Sequence, residues 1–426
     1  MKQDKRSHLP AVDVGGELTV ERPKPEPNEY YIDLSHHLKI AKMFLILFLV
    51  VFLLLMITVF RQDITVENYQ YMIRLFTTSE SGDYAGDFQP IFYDASGATR
   101  LGIFHGDLAV VKRDGVNLYS MGGSNTMEHP VSYSSPAIIT RGKYMLTYDI
   151  GGYSFDIFNN FSHLAGETYD YPISTAAVSR EGMYAVVTKS LEYQSEVNLY
   201  DHNFTLLTRI LKDKYVMGVG ISDDASEILV LSVYSENGIY NTEIMTLEPY
   251  SNTAKSTVTR AGSMAILGGY HADGSYTVLS SDALLFFDKD DNLTKEFALG
   301  AITPTKCIIS DNCTILAYNE NIVGSATKVI VFAPEGEEMT SIVLEEKLID
   351  VTCEGNTAYM LCNDKLIKLD IKTKKSESGS IEGGGSAVFA ADSSTVLVSY
   401  SNKVQPYSVE ALFAQSEKKE PASDTE

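Results

Sequence analysis

The chain has 426 residues, with 34 Lys and Arg against 56 Asp and Glu, a formal net charge of −22, and no Trp. Hydrophobic residues make up 44% of it and charged residues 21%, so the chain can bury a sizeable core and is not disordered as a whole. Proteins that neutralise nucleic-acid phosphates cluster Lys and Arg on one face. The acidic balance therefore predicts no nucleic-acid partner.

One long apolar run lies near the N-terminus: Met43–Phe60 reads MFLILFLVVFLLLMITVF and carries no charge. At about 1.5 Å per residue this run spans roughly 27 Å, close to the thickness of a bilayer core. We predict a transmembrane signal-anchor helix over residues 39–61, with the lipid bilayer as its partner. Residues 1–42 hold seven Lys or Arg, whereas Arg61 and Arg74 are the only two in the twenty residues after the run. The positive-inside rule then predicts a single-pass type II protein of the plasma membrane with a cytoplasmic N-terminus and an extracytoplasmic C-terminal part.

The boundaries of the remaining segments, two tails, a stalk and a folded domain, follow from composition. Residues 1–38 hold four of the thirteen prolines and mixed charge, which predicts a disordered cytoplasmic tail. Residues 62–87 include the Ser/Gly-rich stretch SESGDYAGD and are interpreted as a stalk, and residues 412–426 as a second disordered tail. Between them, residues 88–411 show short runs of Val, Ile, Leu, Tyr and Phe broken by Gly, Asp, Asn and Ser. This pattern is typical of an all-β domain.

The all-β region repeats one unit: an apolar strand, a tight polar turn, a second apolar strand, a loop, and a third strand ending in an aromatic residue or Leu. The second residue of each turn falls at positions 106, 142, 182, 225, 274, 312, 355 and 393, a mean interval of 41 residues. A β-propeller blade has this spacing, because each four-stranded sheet buries its faces only against neighbouring blades. We therefore predict a β-propeller of about eight four-stranded blades.

Closure of the ring decides the number of blades. The last unit shows three strands, whereas the segment FQPIFYD at residues 88–94 has no partner in the first unit. Since an open ring would expose strand edges, we predict that residues 88–94 supply the outer strand of the last blade. Seven blades is the alternative, if the weak first unit belongs to the closing strand.

Turns such as SREG, SDDA and HADG, followed by strands such as VNLYD and LLFFD, resemble the repeats of WD40-like, quinoprotein-like propellers. Over about residues 40–410, the arrangement of one signal anchor and a Tyr-rich acidic propeller is similar to an uncharacterised family of single-pass membrane-anchored proteins of Gram-positive anaerobic bacteria. The resemblance implies architecture rather than activity. No unit has the Gly-His and Trp-Asp pair of true WD repeats, so the partner rules of that group do not carry over.

Known catalytic motifs are not found: the chain has no Gly-x-Ser-x-Gly elbow, no His-Glu-x-x-His, no Walker loop, and no Gly-x-Gly-x-x-Gly after a strand. We expect no enzymatic activity, no cofactor and no metal. Four cysteines fall in the sixth and seventh units, on the side predicted to be outside the cell, and allow three disulfide pairings or buried free thiols. They are Cys307, Cys313, Cys353 and Cys362.

Propellers usually bind partners on the face that carries the loops between second and third strands, and these loops are long in units three, four and six. Tyr and Asn are common at recognition surfaces, so the candidate contacts are Tyr193, Tyr234, Asn237, Tyr240 and Asn321. The leading hypothesis is an interaction module of the cell envelope that binds a protein or a glycan. The alternative is an enzyme or ligand sensor with a site in the central channel. Carboxylates or His converging at the channel mouth would favour that alternative, and an apolar plug would favour the binding module.

Overall fold

The computed structural model describes residues 29–59, 89–94, 97–159, 162–251, 253–319 and 326–414. The chain forms two compact units, one within residues 1–69 and one within residues 70–426. The predicted stalk at 62–87 and residues 415–426 lie outside the described residues.

The first unit contains one helix, α1 (Glu29–Val59). Neither Pro nor Gly interrupts these residues, so no residue inside this range favours ending the helix. The helix therefore starts before residue 39 and includes residues 29–38, which sequence analysis assigned to the disordered tail. Its segment Leu34–Leu55 has a mean hydropathy of 2.7 and is not buried against protein. The helix is long and apolar enough to span a membrane.

The second unit is a ring of eight antiparallel four-stranded sheets, the blades. The strands of blades 1 to 4 are β2 (Arg100–Phe104), β3 (Asp107–Val111), β4 (Gly115–Tyr119), β5 (Asn125–Pro130); β6 (Pro136–Arg141), β7 (Tyr144–Asp149), β8 (Ser154–Phe158), β9 (His163–Thr168); β10 (Ile173–Val178), β11 (Tyr184–Thr188), β12 (Ser195–Tyr200), β13 (Leu206–Lys212); β14 (Tyr215–Ile221), β15 (Ile228–Glu236), β16 (Ile239–Leu247), β17 (Ser256–Ala261). The strands of blades 5 to 7 are β18 (Ala265–Tyr270), β19 (Tyr276–Ser280), β20 (Ala283–Phe287), β21 (Leu293–Ala298); β22 (Pro304–Ile309), β23 (Thr314–Asn319), β24 (Thr327–Phe332), β25 (Glu338–Leu344); β26 (Asp350–Glu354), β27 (Thr357–Leu361), β28 (Lys365–Asp370), β29 (Ser376–Ser380).

Blade 8 joins the two ends of the propeller. It contains β30 (Ala387–Ala390), β31 (Thr395–Ser399) and β32 (Lys403–Ser408), with β1 (Ile91–Phe92) as its outermost strand. β1 pairs antiparallel with β32, so that Ile91 lies opposite Val404. The predicted closure by residues 88–94 is confirmed, and the ring has eight blades rather than seven.

The hydrophobic core lies between blades rather than in one centre. Eight clusters of buried side chains fill the eight interfaces; one combines Leu108 of blade 1 with Ile91, Leu397 and Val404 of blade 8. The second strand of a blade packs on both faces, which is why β7, β11 and β19 are buried along their whole length. Continuous apolar runs in the repeats thus reflect burial on two sides.

A short helix, α2 (Val409–Phe413), follows the last strand and packs against blades 7 and 8. Gly379 on β29 makes room for it, because a Cβ there would lie 2.5 Å from Leu412 Cγ. The propeller therefore extends past the predicted boundary at residue 411, since Phe413 is buried.

Candidate functional site

The antiparallel order of the strands divides the connections of each blade between two faces of the ring. The turns between first and second strands and between third and fourth strands lie at one face, which we call the turn face. The loops between second and third strands and the connections to the next blade lie at the other, which we call the loop face. The first strands of neighbouring blades contact one another around the ring and surround the central channel.

Four charged side chains from four blades form one ion-pair network at the turn face. Arg141 Nε lies 2.7 Å from Asp223 Oδ1, and Arg141 Nη1 lies 2.7 Å from Asp311 Oδ1. Arg180 Nη2 lies 3.2 Å from Asp223 Oδ2 and 2.8 Å from Asp311 Oδ2. Arg141 belongs to blade 2 and Asp311 to blade 6, which are opposite each other in a ring of eight, so the network crosses the channel mouth.

Two glycines allow the turns of blades 2 and 3 to approach each other. Gly142 has a φ of +53°, and a Cβ there would lie 2.6 Å from Arg180 Cγ. Gly182 has a φ of +90°, and its Cβ would lie 2.5 Å from Cζ of Tyr144. Positive φ costs glycine little. Both turns therefore require glycine, because any other residue would have an unfavourable φ and a Cβ that clashes with the neighbouring side chain.

Other carboxyl groups belong to the turn face. Burial raises the pKa of Asp107 to about 7. Burial, followed by the charges of Asp311 and Asp392, raises the pKa of Glu354. The carboxylates of Asp311, Glu354 and Asp392 thus lie close enough to interact at this face, which is the feature that favours a site in the channel. Asp311, however, is already held by two arginines.

The first strands that surround the channel carry both apolar and charged side chains. Lys306 Nζ lies 2.9 Å from Asp350 Oδ1 and links blades 6 and 7. The other oxygen of Asp350 accepts a hydrogen bond from the backbone N–H of Val388 in blade 8, at 3.0 Å. A cavity of about 430 Å³ lies between blades 8 and 1, where Tyr93, Arg100, Phe389, Ser399 and Tyr400 are among its lining residues.

Exposed apolar and aromatic side chains are concentrated on the loop face of blades 2 to 5. Leu191 is 81% exposed and Tyr240 64%. Large contiguous exposed patches of this kind mark interaction sites more often than single exposed side chains do. We call this group the apolar arc; it comprises Ile150, Tyr153, Tyr171, Leu191, Tyr193, Tyr215, Met217, Ile239, Tyr240, Met264 and Ile266.

The longest hairpin of the propeller carries part of the apolar arc. β15 and β16 pair as far as Glu236 and Ile239, beyond the ends of the neighbouring strands β14 and β17. Asn237 and Gly238 form the two-residue turn, with φ of 52° and 78°, as a hairpin turn of this length requires. The predicted contact Asn237 therefore has a backbone role in shaping the tip that presents Tyr240.

Hydrogen bonds between blades place the parts of the arc side by side. Ser195 Oγ, at the end of the blade 3 loop, accepts a hydrogen bond from Val216 N on β14 at 3.0 Å. Thr242 Oγ1 on β16 of blade 4 accepts one from Ala265 N on β18 of blade 5 at 2.7 Å. Blades 3, 4 and 5 therefore present one continuous surface.

Two of the predicted contact residues, Tyr193 and Tyr240, are exposed and belong to the apolar arc. Tyr234 is half-buried, and Lys214 Nζ lies 4.4 Å from the centroid of its ring, so a cation–π contact fixes this tyrosine in the scaffold. Asn321 lies outside the described residues. Tyr193 and Tyr240 thus remain candidates for partner contact.

Sequence reasoning missed the arc residues that stand at the beginning of first strands. Tyr215 and Met217 are exposed although apolar residues in a strand predict core. Met264 and Ile266 occupy the corresponding place before and in β18. The alternation of side chains along a strand could have identified them. Val216 is buried between Tyr215 and Met217, so the side chains of these two neighbours lie on the opposite face of the sheet.

A buried ion pair supports the arc at the connection between blades 3 and 4. Lys212 Nζ lies 2.5 Å from Glu243 Oε1, and Lys214 contacts Glu243 Oε2. Burial opposes the charge of Glu243, but the hydrogen bonds from the two lysines outweigh it and lower the pKa of Glu243. This connection is therefore held rigidly beneath the exposed side chains.

The four cysteines are free thiols, and two of them are neighbours. Cys313 Sγ of blade 6 lies 3.4 Å from Cys353 Sγ of blade 7, and their hydrogen bond raises the pKa of Cys313 and lowers that of Cys353. Burial raises the pKa of Cys307 to about 12 and that of Cys362 to about 11. Of the three pairings left open by the sequence, one joins Cys313 to Cys353, the two cysteines that lie side by side.

Fold and surface together define an eight-bladed β-propeller with an exposed apolar arc. Residues 93–408 match the family described as "Family of unknown function (DUF5711)", and the chain belongs to that family. Comparison with curated protein sequences gives no match.

Three solved structures are similar to this chain at low sequence identity. BamB from Moraxella catarrhalis is 13% identical with a TM-score of 0.48, covering 76% of this chain and 99% of that one. Apo AztD from Citrobacter koseri is 12% identical with a TM-score of 0.49, covering 70% of this chain and 91% of that one. A eukaryotic initiation factor is 10% identical with a TM-score of 0.50, covering 75% of this chain and 87% of that one. At such identities the likeness concerns the fold alone.

Proposed function

We propose that this protein is a membrane-anchored interaction module whose propeller binds a partner protein through the apolar arc. The observation that carries the proposal is the concentration of exposed apolar and aromatic side chains on the loop face of blades 2 to 5. Tyr and Met are enriched where proteins meet. The ring of packed blades holds these side chains in place before binding, which lowers the entropic cost of association.

Charge around the arc indicates the chemistry of the partner. Exposed carboxylates accompany the arc on the loop face: Asp170, Glu192, Asp213 and Glu236. A partner surface with apolar side chains flanked by Lys and Arg would complement them. A protein fits better than a glycan, because aliphatic side chains such as Leu191, Met217 and Ile266 gain most from burying apolar surface.

We propose that α1 anchors the protein in the plasma membrane with the propeller outside the cytoplasm. Support comes from the apolar helix and from the seven Lys or Arg in residues 1–42. A reporter that is active only outside the cytoplasm, fused after Glu426, should be active. Activity of a reporter that works only in the cytoplasm, fused at the same position, would contradict the proposed orientation.

The binding proposal is tested by placing a photo-crosslinking amino acid at Tyr240 in the full-length protein, in cells that naturally produce it. Tyr250 is the matched control, because it is a 78% exposed tyrosine of the same blade at the turn face. We expect a discrete protein adduct from position 240 and not from position 250. The double substitution Met217→Asp and Ile266→Asp should remove that adduct while the propeller stays folded.

Equal adducts from both positions, or an adduct that survives the double substitution, would overturn the binding surface. Raising the salt concentration should weaken the adduct if charge complementarity contributes.

A ligand sensor or enzyme with a site in the channel is the second candidate function. The carboxylates at the turn face and the cavity between blades 8 and 1 favour it. Native mass spectrometry of the protein purified from its natural host should then show a bound small molecule that leaves when the protein is denatured.

A further inference from the structure

Two histidines and one aspartate meet between the outer parts of blades 1 and 2. His129 is on β5 of blade 1, whereas Asp156 and His163 are on β8 and β9 of blade 2. His163 Nε2 lies 2.8 Å from Asp156 Oδ1, and His129 Nε2 lies 3.7 Å from the same oxygen. One ligand atom from each residue lies within 4.8 Å of the other two. Two ligands of a tetrahedral metal ion, each about 2.0–2.1 Å from it, are about 3.3 Å apart, so side-chain rotation would have to bring the three ligand atoms slightly closer to bind a metal.

The surrounding residues hold the aspartate in the orientation that this site needs. Tyr133, a buried side chain, donates a hydrogen bond of 2.6 Å from its hydroxyl to Asp156 Oδ2. Thr147 Oγ1 lies 3.1 Å from the same hydroxyl. Asp156 Oδ2 is thereby occupied, and Oδ1 is left facing the two imidazoles. Carboxylate ligands of metals are commonly oriented by a second hydrogen-bonding residue of this kind.

Packing holds the two histidine rings side by side. An imidazole binds a metal in the plane of its own ring, so one of the two rings must turn before both can bind the same ion. The rings of His129 and His163 are stacked, with centroids 4.1 Å apart, and each makes an edge contact with Phe158. Gly166, opposite Asp156 in the sheet, leaves the space that the carboxylate occupies, because a Cβ there would lie 2.4 Å from Asp156 Oδ1. The three side chains are 27%, 15% and 31% exposed, so an ion can reach them from solvent.

We propose that His129, Asp156 and His163 bind one divalent transition-metal ion of the Zn²⁺ class and thereby join blade 1 to blade 2. Two imidazoles and one carboxylate suit Zn²⁺ and related ions, and three protein ligands leave a fourth position for water or for a group from another molecule. Sequence analysis expected no metal, because ligands from two separate blades match no short spacing motif. The proposal is independent of the apolar arc.

The test uses full-length protein in detergent, without a polyhistidine tag and treated with a chelator, at pH 7.5. Zn²⁺ is titrated against a competing chromophoric chelator, and Co²⁺ is followed by its visible absorption. We expect one equivalent of each metal to bind, and a Co²⁺ spectrum typical of low coordination number. The double substitution Asp156→Asn and His163→Gln should abolish both signals. His202→Gln, an exposed histidine of blade 3, is the matched control and should bind like the wild type.

A second variant keeps the test decisive if the double variant fails to fold. Tyr133→Phe preserves shape and all three ligands but removes the hydrogen bond to Asp156, and should weaken Zn²⁺ binding about 10–100-fold. Zn²⁺ should also raise the melting temperature of the wild type and of His202→Gln. Binding of equal strength in the folded ligand variant and the wild type, or no binding by the wild type at micromolar Zn²⁺, would overturn the proposal and leave a hydrogen-bonded His–Asp cluster without metal.

Discussion

Arg141 of blade 2 and Asp311 of blade 6 form a 2.7 Å ion pair across one mouth of the central channel. Opposite blades of a propeller are usually connected only through the blades between them. Here a direct contact connects them, and Arg180 and Asp223 extend it to blades 3 and 4. The network therefore stabilises the ring across its diameter as well as around its circumference.

The first prediction concerns this network. Asp311→Asn removes the charge that pairs with both Arg141 and Arg180, and we expect it to lower the free energy of unfolding by about 1–2 kcal/mol, since the partners are only partly solvent-exposed. Thermal unfolding of the full-length protein in detergent would measure the loss, which should shrink at high salt. Arg209→Ala is the control: its ion pair with Glu196 is 3.6 Å long and its side chain is 61% exposed. Equal effects of the two substitutions would contradict a special role for the network.

The second prediction concerns closure of the ring. Ile91 is 2% exposed and packs in the interface of blades 8 and 1, whereas its neighbour Phe92 is 64% exposed. Ile91→Ala should destabilise the propeller by about 2–5 kcal/mol through the cavity it leaves. Phe92→Ala, on the same strand but facing outwards, should change stability by less than about 0.5 kcal/mol. Chemical denaturation of both variants would measure the difference, and similar losses would mean that β1 closes the ring through its backbone alone.

The third prediction concerns pH. Burial raises the pKa of Asp107 from 3.8 to about 7 in the folded protein, so between these values the folded state binds more protons than the unfolded state. Stability from this group is therefore greatest at low pH and is lost as pH rises through about 7. Comparing stability of the wild type and Asp107→Asn from pH 5 to pH 8 should show a pH-dependent loss in the wild type that exceeds that of the variant by on the order of 1–3 kcal/mol. Parallel pH profiles would show that Asp107 does not titrate in this range.

The fourth prediction concerns the cysteines. If the propeller lies outside the cytoplasm, a thiol–disulfide oxidant should convert Cys313 and Cys353 into one disulfide, taking two electrons and two protons from the thiols. Peptide mapping without reduction, after thiol blocking in intact cells, should find this link, and Cys362→Ser should leave it unchanged. In the chain-entropy account a loop of this length contributes about 4 kcal/mol of stability. Finding both thiols blocked would place them in a reducing environment or out of reach of oxidant.

Periodicity explains why the fold could be predicted and the surface could not. The repeated turns predicted about eight blades, with seven as the alternative, and the unpaired segment at residues 88–94 indicated the closing strand, because both depend on local pattern and backbone pairing. Exposure of Tyr215 and Met217 depends on where the strands of neighbouring blades end. The sequence of one repeat alone cannot predict this. The network of Arg141 and Asp311 requires turns of two opposite blades, with three blades between them, to meet, and the cluster of His129 and His163 requires two blades to pack in register.

Closure by β1 and β32 has a consequence for biosynthesis. Ile91 pairs with Val404, so the first strand of the domain leaves the ribosome long before its partner. Until residues near Val404 have been made, blade 8 cannot assemble and blade 1 has no neighbour on one side. The nascent domain must persist as an incomplete ring during most of its synthesis, and a chain that stops before β32 should reach quality control as an open, protease-sensitive species. Messages truncated late in the coding region should thus yield almost no stable protein, although seven of the eight blades have been translated.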